Sequence, residues 1–206
     1  MAVSKTVPAE RLRAAVAAGI TTLGENRVQE AAQKIPAVAG ATWHLVGHLQ
    51  GNKARAAVAV FDVLESVDSL DLAGRLDRLV AEGAAARVTR AGDRLPVLLQ
   101  VNVDADPAKA GLAPDELTSD LAAILVLPRL RVEGLMTVGQ LAPRPEDARG
   151  TFVALRRLSE RLRAAQPGLG PALSMGMSDD FEVAVEEGAT IVRVGRALFG
   201  ERPPGA

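Results

Sequence analysis

The chain has 206 residues, 48% of them hydrophobic, and near-balanced charge: 24 Lys and Arg against 25 Asp and Glu, net −1. That composition suits one globular domain with a substantial core, excludes a disordered chain, and offers no basic footprint for nucleic acid or an anionic membrane. The absence of cysteine excludes disulfides and thiolate metal sites; no apolar run reaches a membrane span and no signal-peptide pattern opens the chain, so the cytoplasm is the expected location.

Apolar runs and amphipathic stretches alternate from end to end. In chain order they predict strand Ala2–Ser4, helix Ala9–Ala18, strand Thr22–Gly24, helix Arg27–Lys34, strand Trp43–Gly47 and helix Lys53–Phe61. Strand Val63–Val67, helix Leu70–Ala85, strand Val97–Val103, helix Pro114–Leu127, strand Val132–Val138 and helix Pro145–Ala165 follow. Strand Pro171–Ser174, helix Asp180–Glu187 and strand Thr190–Val194 complete the pattern. Several strands are uniformly apolar, as in a parallel sheet covered by helices. About eight β–α units predict a single (β/α)8 barrel of the TIM type over residues 1–201, with a doubly wound sheet as the competitor. Ala142-Pro143-Arg144-Pro145 reads as a stiff loop, and residues 202–206 as a flexible tail.

The segment Leu173 to Gly200 carries the chemistry. It reads as strand, serine-ended turn, helix, strand, glycine turn and helix start. Two consecutive strand-to-helix turns aim unpaired backbone N–H groups at one place, which favours a phosphate. Taken alone, Ser178 followed by Asp179 and Asp180 reads first as an ordinary helix N-cap, and those acids would oppose an anion. Gly195 alone reads as a plain turn residue. Arg193 ends an apolar strand and must find a polar partner there. In a barrel, chemistry collects at the C-terminal strand ends, and phosphate commonly binds after the seventh and eighth strands.

The same rule singles out Lys5, at the end of the first strand. Lysines are few (Lys5, Lys34, Lys53 and Lys109), and lysine can form an imine with an aldehyde whereas arginine cannot. By itself Lys5 reads as a surface charge. Beside a phosphate site it reads as a Schiff-base amine. His44 and His48, the two histidines, lie in a strand-like run, which argues against a zinc pair.

Taken together, Ala-Val-Ser-Lys-Thr (2–6), Leu-Gly-Glu-Asn-Arg-Val-Gln-Glu (23–30), Trp-His-Leu-Val-Gly-His-Leu-Gln-Gly-Asn-Lys (43–53), Gly-Leu-Met-Thr (134–137) and Leu173–Gly200 closely resemble the pyridoxal 5′-phosphate (PLP) homeostasis protein family. The fold of that family is like the barrel domain of alanine racemases, and the resemblance spans essentially the whole chain. It implies that Lys5 holds PLP as an internal aldimine and that Ser178 and the amides around Gly195 hold the phosphate. It further implies that Arg193 faces the pyridine nitrogen, with Asn26 and Met175 near the ring. Arg196 stands where the family often has a small hydroxyl residue; it either offers charge to the phosphate or points outward. Lys53 and Lys109 fall in motif segments, but each reads as a solvated charge.

An arginine at the ring nitrogen makes a weaker electron sink than a carboxylate would, which disfavours transaminase-like chemistry. The chain has no tyrosine, so it lacks the phenol that alanine racemases use on one face of the substrate. The expectation is therefore a PLP carrier, a non-enzymatic buffer or donor to PLP-dependent apo-enzymes. A PLP-dependent racemase-like enzyme using an acid such as His44 is the alternative. A lysine-imine aldolase working on phosphorylated sugars without PLP is the third reading. Family members usually carry a helix and the first half of a strand ahead of Ala-Val-Ser-Lys. The first strand is expected to be minimal here, and a version extended by those elements to melt higher and retain PLP better.

Overall fold

The structure, a computed structural model, describes residues 1–84, 94–139 and 143–200. Its strands are β1 (Ala2–Val3), β2 (Thr22–Glu25), β3 (Thr42–Leu45), β4 (Val63–Val67), β5 (Leu95–Gln100), β6 (Leu130–Met136), β7 (Ala172–Met177) and β8 (Ile191–Arg193). The helices that follow them are α1 (Ala9–Ala17), α2 (Val28–Lys34), α3 (Ala54–Val60), α4 (Leu70–Ala81), α5 (Pro114–Leu125), α6 (Arg149–Ala165), α7 (Phe181–Glu186) and α8 (Arg196–Phe199). All neighbouring strands pair in parallel, in chain order from β1 to β8. Val3 N–H donates to Val194 O at 2.9 Å and Val194 N–H to Met1 O at 3.0 Å, with an Ala2–Val194 bridge. The sheet thus closes on itself. This is the (β/α)8 barrel and not the doubly wound alternative, whose sheet has two edges.

The first strand is as short as expected, yet neither of its sides is left open. Ala2 and Val3 pair with Leu23 and Gly24 on one side while the same residues bond to β8 on the other.

Alternation along each strand divides the molecule into two layers. Trp43 and Leu45 point outward into the apolar cluster they share with Leu12, Ala31, Val58, Leu76, Leu121, Phe152 and Leu162 from the surrounding helices. Each large side chain fully buried there contributes about 1.5–3 kcal/mol, so this outer layer drives barrel formation. The inner layer is different, for it holds His44, Glu65, Ser174 and Arg193, all buried.

Helix starts follow local chemistry. Ser69 Oγ accepts from Leu72 N–H at 3.1 Å to begin α4, and Glu116 reaches back to Ala113 N–H at 3.2 Å at the start of α5. Where strand ends differ from the sequence pattern, turns account for it. β5 stops before Asn102 because that side chain binds Asp106 twice, accepting from its N–H at 3.1 Å and donating to its O at 2.8 Å. β3 ends at Leu45, two residues short of the expected Gly47, where a Cβ would lie 2.3 Å from Asn26 O. Ala85, at the end of the helix expected from Leu70, Ala142 of the proline loop and the expected tail at 202–206 lie outside the described residues.

The β6–β7 seam gives the first prediction. A Cβ on Gly134 would stand 2.0 Å from Ala172 O, with φ at +156°. Two paired strands would have to separate to admit it. Gly134→Ala should therefore lower stability by about 3 kcal/mol in denaturant titration. An unchanged midpoint would show that the seam yields freely.

Candidate cofactor site

Lys5 leaves the sheet directly after β1, at the C-terminal mouth. Ser4 N–H donates to Gly24 O at 2.8 Å, and Ser4 Oγ donates to Glu25 Oε1 at 2.9 Å and contacts Gly24 O at 3.0 Å. Thr6 then turns the chain with φ of +64°, unusual for a β-branched residue. On the other flank of β1, a Cβ on Gly195 would lie 3.5 Å from Val3 O. The lysine turn and the glycine turn are thus adjacent.

Ser178 and Gly195 are brought together across the two final turns: Gly195 N–H donates to Ser178 Oγ at 3.3 Å. This corrects the capping reading of Ser178. Helix α7 begins at Phe181 with Asp180 at its N-cap position, and Asp180 Oδ1 accepts from Met177 N–H at 2.6 Å. Asp179 forms an ion pair with Arg196, the first residue of α8. Of the two roles open to Arg196, the structure therefore shows it pairing with a surface carboxylate. That pairing also matches one of the acids that would oppose an anion. Both helices are short, so an anion here would depend on individual N–H groups more than on a macrodipole.

Arg193 is buried inside the barrel. Its Nη1 donates to Ser174 Oγ at 2.8 Å and its Nη2 to Thr137 O at 2.6 Å. Ser174 Oγ in turn donates to Glu65 Oε2 at 2.5 Å, and Glu65 Oε1 meets His44 Nδ1 at 2.6 Å. Burial works to raise the Glu65 pKa, but the His44 contact, the Arg193 charge and the Ser174 hydrogen bond together hold it below its ordinary value. Burial lowers the Arg193 pKa, opposed by the charges of Glu65 and Asp180.

The other expected residues are placed less centrally. Asn26 follows β2 at the same mouth, and its N–H donates to Glu25 Oε2 at 3.2 Å. Met175 is fully buried and belongs to the outer apolar cluster with Leu173 and Ala184; the structure does not bring it to the polar set around Arg193. The solvated-charge reading of Lys109 is also corrected. Its Nζ is screened from solvent and sits 3.7 Å from both Asp104 and Asp106. It borders a cleft of about 700 Å³ that also reaches Gly139 and Met177. His48 pairs with Asp68 at 3.0 Å beside a separate cleft of about 550 Å³.

Reading the residues alone passed over Glu65, Ser174, Glu25, Glu30 and Lys34. The signal for the two glutamates of 23–30 was their place in a motif segment. A carboxylate in the middle of the apolar run Val63–Val67 was a signal of its own.

The closed (β/α)8 barrel falls in the alanine racemase N-terminal domain class, whose family model matches residues 1–203. Within this class, the chain belongs to the pyridoxal phosphate homeostasis protein family. The Pyridoxal phosphate homeostasis protein of Pseudomonas aeruginosa is 43% identical over 209 residues, covering 100% of this chain and 85% of the relative. That of Aquifex aeolicus is 40% identical over 201 residues, covering 97% and 85%. PipY of Synechococcus elongatus PCC7942, solved with PLP bound, matches with a TM-score of 0.86 at 42% identity, covering 97% of this chain and 91% of that one.

The buried network sets a pH dependence. Because the folded Glu65 pKa lies below the ordinary 4.5, its contribution is complete above pH 4.5 and is lost as pH falls through the folded value. Glu25 is raised by burial despite its Lys34 and Ser4 bonds, so its contribution has the opposite sign, being lost as pH rises above 4.5 through its folded value. Glu65→Gln should cost about 3 kcal/mol at neutral pH, since Arg193 would lose its buried counter-charge. The variant should also lose less stability than the wild type below pH 4.5. Parallel melting-temperature profiles for the two proteins across that range would contradict this.

Proposed function

We propose that this protein binds pyridoxal 5′-phosphate at the C-terminal mouth of the barrel and acts as a non-enzymatic carrier. It would buffer the cofactor in the cytoplasm and deliver it to PLP-dependent apo-enzymes. The observation that carries the reading is the Ser178–Gly195 bond beside the Lys5 turn. It joins a phosphate-type donor set to a primary amine across adjacent strands. PLP has the three matching features: a phosphate, an aldehyde and a ring nitrogen. When bound, PLP would supply an aldehyde and an electron-accepting ring, and Lys5 would hold it reversibly through its side-chain amine.

The remaining roles belong to the protein. Ser178 and the N–H groups of the Gly195 turn would hold the phosphate, and Arg196 would neutralise Asp179 next to it. Asn26 would contact the ring. Arg193 spends two of its five N–H groups on Ser174 and Thr137, which leaves its fork able to donate to a pyridine nitrogen. A guanidinium donates a hydrogen bond there without yielding a proton, so the ring stays a weak electron sink. This favours storage over turnover. The racemase reading has less support, because His44 is buried and its Nδ1 is already engaged by Glu65. Turnover assays with amino acids in both enantiomers separate the two readings.

Lys5→Ala should abolish covalent PLP uptake while leaving a cooperative melt. Borohydride reduction of the wild type should fix PLP on Lys5. A fixed adduct on Lys34, Lys53 or Lys109 with Lys5 unmodified would refute the assignment.

For Arg193, Leu substitution should weaken PLP binding about 10-fold or more and shift the visible spectrum, through loss of a hydrogen bond to a charged donor worth about 1.5–3 kcal/mol. Arg193→Glu should shift the spectrum differently, since a carboxylate stabilises a protonated pyridine nitrogen. Unchanged spectra in both variants would assign Arg193 a purely structural role.

A further inference from the structure

We infer that Lys34 is a positioning residue for Lys5, acting with Glu30 and Glu25 as a clamp on the backbone either side of the reactive amine. Helix α2 places Glu30 and Lys34 one turn apart on the same face. Lys34 Nζ, on a side chain only 12% exposed, meets Ser4 O at 2.7 Å, Glu25 Oε1 at 2.7 Å and Glu30 Oε1 at 2.6 Å. Those three acceptors match the three donors of an ammonium. The first holds the residue before Lys5. Glu30 Oε1 holds the residue after it, accepting from Thr6 N–H at 2.6 Å. Glu25 adds a second hold on that residue, since its Oε1 also accepts from Ser4 Oγ at 2.9 Å.

The clamp answers a need in the backbone. Thr6 has φ of +64°, and such a conformation persists only where the surroundings over-determine it. The β1 strand spans only Ala2–Val3, so ladder bonds alone hold little of the chain leading to Lys5. Glu30 and Lys34 supply the missing constraint from the helix layer. They fix where the lysine stem starts, and with it the approach of its amine to an aldehyde.

The inference rests on Lys5 being the PLP-binding amine. Its test uses the full chain with PLP as probe and reads three things: hydrogen exchange at the Thr6 amide without PLP, the rate of PLP uptake by visible absorbance, and the borohydride-fixed residue. Lys34→Met should melt cooperatively, exchange the Thr6 amide faster and take up PLP on Lys5 about 10- to 100-fold more slowly, the range expected for a misplaced reacting group. Lys34→Arg, which keeps a charged donor, should recover part of that rate. Uptake by Lys34→Met at the wild-type rate would overturn the inference, as would Thr6 exchange no faster than wild type. Should Lys34→Met fail to fold, Glu30→Ala decides. It removes the acceptor for Thr6 N–H and keeps the Lys34–Ser4 contact, so slower uptake supports the clamp and wild-type uptake overturns it. Failure of the PLP reading itself would appear in the wild type, as absent uptake or an adduct elsewhere, and would take the clamp's purpose with it.

Discussion

A carboxylate sealed inside the barrel governs how the strands are arranged around it. Glu65 on β4 has no solvent exposure, and a buried charge is tolerable only when its neighbours compensate it. The compensation comes from His44 on β3, Ser174 on β7 and, through that hydroxyl, Arg193 on β8, which also reaches Thr137 beyond β6. Five of the eight strand positions, at β3, β4, β6, β7 and β8, are tied by one polar chain. Hydrophobic burial in the outer layer makes the barrel stable. The inner chain makes its register specific, because a slip of one residue would turn these groups into the apolar layer.

That arrangement also fixes the Arg193 guanidinium inside the barrel. An arginine on a surface samples many rotamers, and holding it costs side-chain entropy. Here two of its nitrogens are already anchored to Ser174 and Thr137, so the cost is met in folding rather than on ligand binding. The Ser178–Gly195 contact and the Asp179–Arg196 pair work similarly on the neighbouring turn. Each link preorders a group that a free loop would leave variable.

The barrel was legible because its signals are periodic. Eight apolar runs and the helices between them lie within a few residues of their observed places, while alternation alone left a doubly wound sheet as the competitor until the β1–β8 bonds closed the barrel. The pairing of the Ser178 and Gly195 turns was legible for the same reason, since consecutive β–α turns of a barrel must share a mouth. Side-chain partnerships were less so. Ser178 resembled an N-cap because Asp179 and Asp180 follow it, yet Asp180 occupies that position and frees the serine to face Gly195. Lys109 resembled a solvated charge because its segment is polar, while the fold places Asp104 and Asp106 near it. Glu65 was a carboxylate in an apolar run, but its partners lie 21 and 109 residues away in the chain. Such pairings have no local period to announce them.

The two lysines near the mouth show how environment divides labour between identical side chains. Lys34 is enclosed by one carbonyl and two carboxylates, all within 2.7 Å of its Nζ. With one acceptor for each of its hydrogens, that side chain is committed as a donor. Lys5 stands one residue past the carbonyl that Lys34 grips, on the turn shared by Ser4 and Thr6, and its amine extends from a backbone already held in place. Chemistry at an amine needs a lone pair and a reproducible origin. Lys34 supplies the second to Lys5 through its hold on Ser4 O, one residue before it.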